Sequence, residues 1–104
     1  MTALDAWLEQ REAGVPASLV ARMRHHLAGR TGPLPDRLAQ AGLDALRTAL
    51  EAPDQRASAP DLLAADALLT AAFEAAAEEG MAAVDRLAAA TGPAAFVDLL
   101  TETP

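Results

Sequence analysis

The chain reads as an all-α single domain, a bundle of five or six helices packed around a central apolar helix at about residues 59–79. Three observations predict this. Its 104 residues are rich in alanine and arginine, both good helix formers, while valine is scarce and isoleucine absent, so strands have little to be built from. Apolar residues recur at helical spacing in successive segments. Glycine and proline punctuate the chain at helix-length intervals, at Gly14, Gly29, Pro53, Gly80 and Gly92-Pro93.

Thr2 caps a first helix, with Asp5 three residues on as its capping-box partner. Leu4, Trp7 and Leu8 follow at helical spacing, Trp7 is expected in the core, and Gly14 ends the run. Pro16 suits the first turn of a second helix. Its apolar stripe is Leu19, Val20, Met23 and Leu27, with His26 at the border, His25 facing out and Gly29 as the stop. Thr31-Gly32-Pro33-Leu34-Pro35 forms a loop. A third helix runs from about Pro35 to Ala52, with Leu38, Leu46 and Leu50 inward and Leu43 close to them. Gly42 shares that side, where a glycine costs about 1 kcal/mol against alanine. Close approach of a neighbouring helix explains it, a local kink being the alternative. Pro53 ends the element and Asp54-Gln55-Arg56-Ala57 is a polar link.

Ser58-Ala59-Pro60-Asp61 reads as the start of the fourth helix: serine caps, proline sits in the first turn, and Asp61 closes the box and complements the helix dipole. About 21 residues at ~1.5 Å each give roughly 30 Å, enough to span a membrane. Asp66 and Glu74 lie inside the run and acids flank it, so no membrane contact is expected. At ~100° per residue, Leu69 and Phe73 fall within about 20° of Leu62 and mark one apolar side. The far sector holds Ala64, Ala67, Ala71 and Ala75, where a surface helix would carry charge. Such a helix is expected either to be surrounded by others or to set its alanine face against a second copy. A fifth helix spans about Met81 to Ala90 with Met81, Val84 and Leu87 inward, Gly80 acting as a break or a kink. A last helix spans about Pro93 to Thr101 with Phe96, Val97 and Leu100.

The absence of cysteine removes disulfides, thiolate metal sites and a cysteine nucleophile. It fits a reducing compartment, and no signal-peptide pattern follows Met1, so a cytoplasmic location is expected. The alanine and arginine bias fits a GC-rich bacterial genome. The formal charge of −7 is uneven. Up to residue 50, six arginines meet five acids, a net +1; beyond it, two arginines meet ten acids, a net −8. This balance speaks against nucleic-acid binding, which rests on phosphate neutralisation. It implies either that the halves complement each other or that a basic partner docks on the acidic half.

Polar residues on the apolar helix are the first candidates for a site. Asp66 falls between Leu62, Leu69 and Phe73, and Thr70 and Glu74 continue its line at i+4 and i+8. A carboxylate buried there requires a partner. That partner is an arginine or histidine of the second or third helix, or a polar ligand head in an apolar pocket. Asp66, Thr70, Glu74 and His26 are therefore the candidate ligand-binding residues. Arg22, Arg24, His25 and Arg30 are the candidate interaction residues, a basic patch for an anion or an acidic partner. The alternative for this patch is a solvated face from which one residue reaches Asp66 or Glu74. Asp66 and Glu74 lie two turns, ~12 Å, apart along the axis and cannot share a metal. Adjacent histidines diverge by ~100°, unlike the i, i+4 pair that zinc takes on a helix. No metal and no cofactor is expected. Ser18 and Ser58 are explained by helix starts, and no nucleophile elbow, phosphate loop, dinucleotide fingerprint or calcium loop occurs, so no catalytic residue is assigned.

The run Asp66-Ala-Leu-Leu-Thr-Ala-Ala-Phe-Glu74 resembles the GDALLxxAFE helix of isoprenyl diphosphate synthases. It covers under a tenth of the chain, and the DDxxD motif that carries that family's magnesium and diphosphate chemistry is missing. The resemblance implies a helix type, apolar with spaced polar groups facing a cavity, and no activity. The sequence thus leads to a small non-catalytic interaction or adaptor protein, self-associating or bound to another protein. The alternative is an apolar-ligand-binding or accessory enzyme domain with a pocket near Asp66 and Thr70. A nucleic-acid regulator acting through residues 22–30 is opposed by the acidic total.

Overall fold

The computed structural model describes residues 6, 9, 10 and 14–102, with main chain alone at 96, 99 and 102. Its regular elements are all helical: α1 (Ala17–Leu27), α2 (Leu34–Glu51), α3 (Gln55–Glu79), α4 (Met81–Ala90) and α5 (Pro93–Glu102). Ala6, Glu9 and Gln10 are helical too. The Thr2–Asp5 cap and the expected core residues Leu4, Trp7 and Leu8 lie outside the described residues.

The frame is a hairpin. Only Ala52, Pro53 and Asp54 separate α2 from α3, and the two helices pack along their lengths, which makes them antiparallel neighbours. α1 and α4 pack onto this pair, and α3 touches α1, α2 and α4. No helix of the described residues is long and apolar enough to cross a membrane.

Proline and aspartate set the ends. Pro33 precedes α2, Pro35 occupies its first turn where a missing N–H costs nothing, and Asp36 faces the positive pole of the helix. α3 starts four residues earlier than the serine signal implies. Asp54 is its cap: the side chain accepts the Ala57 N–H at 2.8 Å, and Ser58 Oγ donates to the Gln55 carbonyl within the helix. The expected polar link is therefore the first turn of α3, Pro60 lies inside the helix, and Asp61 is neither a cap partner nor a first-turn acid. Gly80 separates α3 from α4 rather than kinking one long helix. Its φ of 116° is open to glycine, its N–H donates to the Ala76 and Ala77 carbonyls, and its own carbonyl accepts from Ala83 and Val84.

The largest departure from expectation is the rotation of α3. The alanines face inward. Ala64, Ala65, Leu68, Ala71, Ala72, Ala75 and Ala76 are buried, while Leu62, Leu63 and Phe73 stand at the surface and Leu69 is half-buried. Leu62 is 46% exposed, Leu63 60% and Phe73 36%. On α2, Ala41, Gly42, Ala45 and Ala49 are buried with Leu38, Leu46 is half-buried against the core, and Leu50, expected inward, is exposed. Among the described residues, eleven of the sixteen buried apolar side chains are alanine. Side chains this short fill a seam only if the two backbones come close. Gly42 shows that closeness: a Cβ built there would lie 2.8 Å from Leu69 Cγ and 3.3 Å from the Leu69 backbone nitrogen. Its glycine is thus explained by helix approach, not by a kink.

Elsewhere the stripes hold in part. Met23 and Leu27 of α1 are buried with Leu19 and Val20 half-buried, and Leu87 of α4 is buried. Met81, expected inward, is exposed, as are Val97 and Leu100 of α5.

Candidate functional site

Two polar features flank α3 on opposite sides. The buried one begins with the alanine face. Asp61 falls in that sector, so the inward rotation of the alanines carries its carboxylate into the core, where it is 7% exposed. His26 of α1, one turn beyond Met23 and beside Leu27, meets it there at 2% exposure. Nε2 of His26 lies 2.8 Å from Asp61 Oδ1, and Nδ1 lies 2.8 Å from Asp44 Oδ2 on α2. A carboxylate only accepts, so each contact is a hydrogen bond donated by the ring nitrogen that faces it, and the ring serves both carboxylates at once when each nitrogen carries an N–H. One side chain thereby ties α1, α2 and α3 together.

Arginines complete the cluster. Arg22 Nη1 lies 3.6 Å from Asp61, Arg30 Nη2 3.5 Å and Arg47 Nη1 3.9 Å from Asp44, which is 36% exposed. Arg30 Nε also donates to the His26 carbonyl at 2.7 Å, closing the end of α1. Of the four proposed interaction residues, Arg22 and Arg30 thus turn to internal carboxylates. His25 is exposed with its ring edge-on to His26 at 5.1 Å, and Arg24 is exposed.

This cluster does not offer acid–base catalysis. A general base needs a nitrogen that reaches substrate, and both ring nitrogens of His26 are engaged and buried. Ser18 is exposed at the start of α1, and Ser58 is engaged with Gln55, so neither is placed beside the ring as a nucleophile. Asp44 and Asp61 sit on opposite nitrogens of the imidazole. Among the described residues no group of three or more His, Cys, Asp or Glu could hold a metal ion.

The second feature is the outer side of α3, where three of the four candidate ligand residues lie. Asp66, Thr70 and Glu74 are exposed. Asp66 is therefore not a buried carboxylate; with the alanines inward, its side of the helix faces solvent. Leu69, Thr70, Phe73, Glu74 and Ala77 line an open groove along α3. The structure brings Thr70 and Glu74 together there with three apolar side chains. It sends His26 to the other side of the helix, about 140° away by the step from Asp61 to Asp66. Asp44 and Asp61 are the partners that sequence reasoning missed. The signal for Asp61 was present in its register with Ala64, Leu68, Ala72 and Ala75, all buried once α2 is in place.

The chain matches no family model, no curated protein and no solved structure.

Proposed function

We propose that the protein is a non-catalytic helical interaction module that docks another protein along the outer side of α3. The observation that carries this reading is the inversion of α3. Leu62, Leu63 and Phe73 stay at the surface beside the groove, while alanine fills the core. Scattered surface leucines are ordinary, but apolar side chains in line on one helix face, with polar residues between them, match a partner-binding surface. The alternative, an apolar-ligand site near Asp66 and Thr70, is less well supported. Small-molecule sites enclose most of their ligand, and this groove is open. The ground for a dimer through an alanine face is also gone, because α2 of the same chain covers that face.

Site-specific photo-crosslinking tests the reading. A benzophenone amino acid replaces Leu63 or Phe73 on the outer side of α3, or the exposed Gln40 of α2 as control, in cells that express the chain. The expected result is a discrete adduct from positions 63 and 73 that is missing from position 40. No adduct from 63 or 73, or the same adducts from all three, overturns it.

A further inference from the structure

The outer side of α3 is apolar, and the N-terminal segment of the same chain carries an apolar stripe of its own. We infer that residues 2–12 lie along that side as a helix in the free chain, with Leu4, Trp7 and Leu8 against Leu62, Leu69 and Phe73, and that a partner reaches the groove by displacing them. The displacement rests on the reading above that the outer side of α3 is a docking surface; the cover itself does not.

The described part of the segment sets its orientation. Ala6, Glu9 and Gln10 are helical and exposed. At ~100° per residue, Glu9, Ala6 and Gln10 fall roughly 200°, 260° and 300° from Trp7, while Leu4 and Leu8 fall at about 60° and 100°. The exposed residues and the apolar stripe therefore occupy opposite sides of one helix. A helix of about 11 residues is marginal in water by itself and is held by packing its apolar side on a neighbour.

The core offers no such place. α2 and α3 close on each other through short side chains, so near that Leu69 meets Gly42, and an indole does not enter that seam. Apart from α3, the exposed large apolar side chains among the described residues are Leu50 on α2, Met81 on α4, and Val97 and Leu100 on α5. The first two stand singly and the last two span one turn. On α3, Leu62, Leu69 and Phe73 recur at i, i+7 and i+11, a stripe of roughly 16 Å, the length of about 11 helical residues. Thr70 and Ala77 are the short side chains of the groove and leave space beside Phe73 for a large ring.

The chain also delivers the segment nearby. Gly14, with a φ of 84°, turns the chain just before α1, which itself packs on α3. The four-residue link 13–16 spans up to ~14 Å, more than the ~10 Å diameter of a helix. Charge does not choose the occupant, because Glu74 and Glu78 beside the groove already have partners. A second copy would bring the same stripe, but a segment tethered by a short link acts at a millimolar effective concentration, which favours its own chain.

The full chain carries its own probe, one tryptophan and no cysteine. Trp7 emission is expected to the blue of free indole, and acrylamide quenching several-fold slower than for N-acetyltryptophanamide, both unchanged on dilution. Phe73→Ser raises the quenching to the free value with the amide shifts of α1 and α2 unchanged. Leu50→Ser and Val97→Ser, at exposed positions of α2 and α5, leave it as it was. In the purified chain, the benzophenone at position 73 joins to residues 2–12. Quenching equal to the free value in the unaltered chain, shielding lost alike in all three variants, or an adduct from position 73 that maps elsewhere overturns the inference. Shielding that grows with concentration overturns it in favour of a second copy. In cells, Trp7→Ser raises the yield of the intermolecular adduct from position 63 several-fold, and an unchanged yield overturns the displacement. A shielded Trp7 with no intermolecular adduct removes the docking reading and the displacement but leaves the cover; an intermolecular adduct beside a solvent-exposed Trp7 removes the inference alone.

Discussion

Removing the imidazole of His26 isolates a carboxylate in the core, and the expected loss can be worked from the cluster's geometry. In His26→Ala, Asp61 keeps its burial and loses its 2.8 Å partner. Arg22, at 3.6 Å and itself 43% exposed, is the cation that remains beside it. Breaking a buried charge pair from one side costs ~3–5 kcal/mol, because the charge left behind is uncompensated. Arg22 offsets part of that, so the lower end applies, about 3 kcal/mol. Asp44 adds nothing appreciable, since it is partly solvated and keeps Arg30 and Arg47 nearby. At ~4–8 °C per kcal/mol for a domain of this size, the melting temperature falls by roughly 12–24 °C.

The double variant carries the sharper test. Asp61→Ala removes the buried charge itself and leaves His26 with Asp44, so it costs less, ~1–2 kcal/mol. Combining the two substitutions leaves no orphaned charge and is expected to be more stable than His26→Ala alone, with a coupling energy of about 2 kcal/mol. Urea denaturation followed by far-ultraviolet circular dichroism reads this as midpoint shifts at constant m-value. The order should persist at high salt, because a buried pair is screened far less than an exposed one. A loss below ~1 kcal/mol in His26→Ala, or single-variant losses that add to within ~0.5 kcal/mol, would refute the account of His26 as the tie between three helices.

Further expectations follow from the rotation of α3 and its seam. Leu68→Ala, deep in the core, should cost ~2–5 kcal/mol, and Leu63→Ala on the outer side less than ~0.5 kcal/mol; equal losses in urea denaturation would mean that α3 is turned the other way. Gly42→Ala gains about 1 kcal/mol of helix propensity but drives a methyl into Leu69, an overpacking cost of ~1–3 kcal/mol, so net destabilisation is expected. Gly42→Ala combined with Leu69→Ala should then be less destabilised than the sum of the two single variants; strict additivity would count against the contact. Asp54→Ala should lower stability by about 1 kcal/mol and fray the first turn of α3 by amide exchange, whereas Ser58→Ala should leave that turn protected.

The helical class and most of the boundaries could be read from glycine, proline and apolar period, because those signals act locally. Pro33 and Pro35 start a helix and Gly80 stops one whatever lies nearby. The start of α3 was misread because Asp54 and Ser58 are both good caps, and the sequence does not say which of them is used. The rotation of α3 was misread for a different reason. A helix apolar on nearly every side gives its pattern little direction, and the usual rule, that leucine and phenylalanine face inward, selected the wrong side. The deciding information lies on α2, whose stripe of Ala41, Gly42, Ala45 and Ala49 lets the facing helix come close, so close that Leu69 packs on Gly42. His26 was correctly set at the inner border of its helix. Its partners could not be assigned, since they depend on the rotation of α3.

Why α3 does not turn its large side chains inward is a question of competing energies. Burying an exposed leucine or phenylalanine is worth ~1.5–3 kcal/mol, so the observed rotation forgoes a substantial hydrophobic gain at Leu62, Leu63 and Phe73. The reverse rotation loses more than it recovers. A turn of about 140° would carry Asp66 to the position now held by Asp61 and withdraw Asp61 from His26. It would also carry Leu69 off Gly42 and set leucine and phenylalanine where the buried alanines of α3 now meet α2, forcing the backbones apart and opening the seam along its length. The buried carboxylate and the alanine seam therefore act in the same sense, each fixing the angular setting of α3. What they fix on the inside determines what stands outside: a line of apolar side chains that the fold itself has no means of covering by rotation.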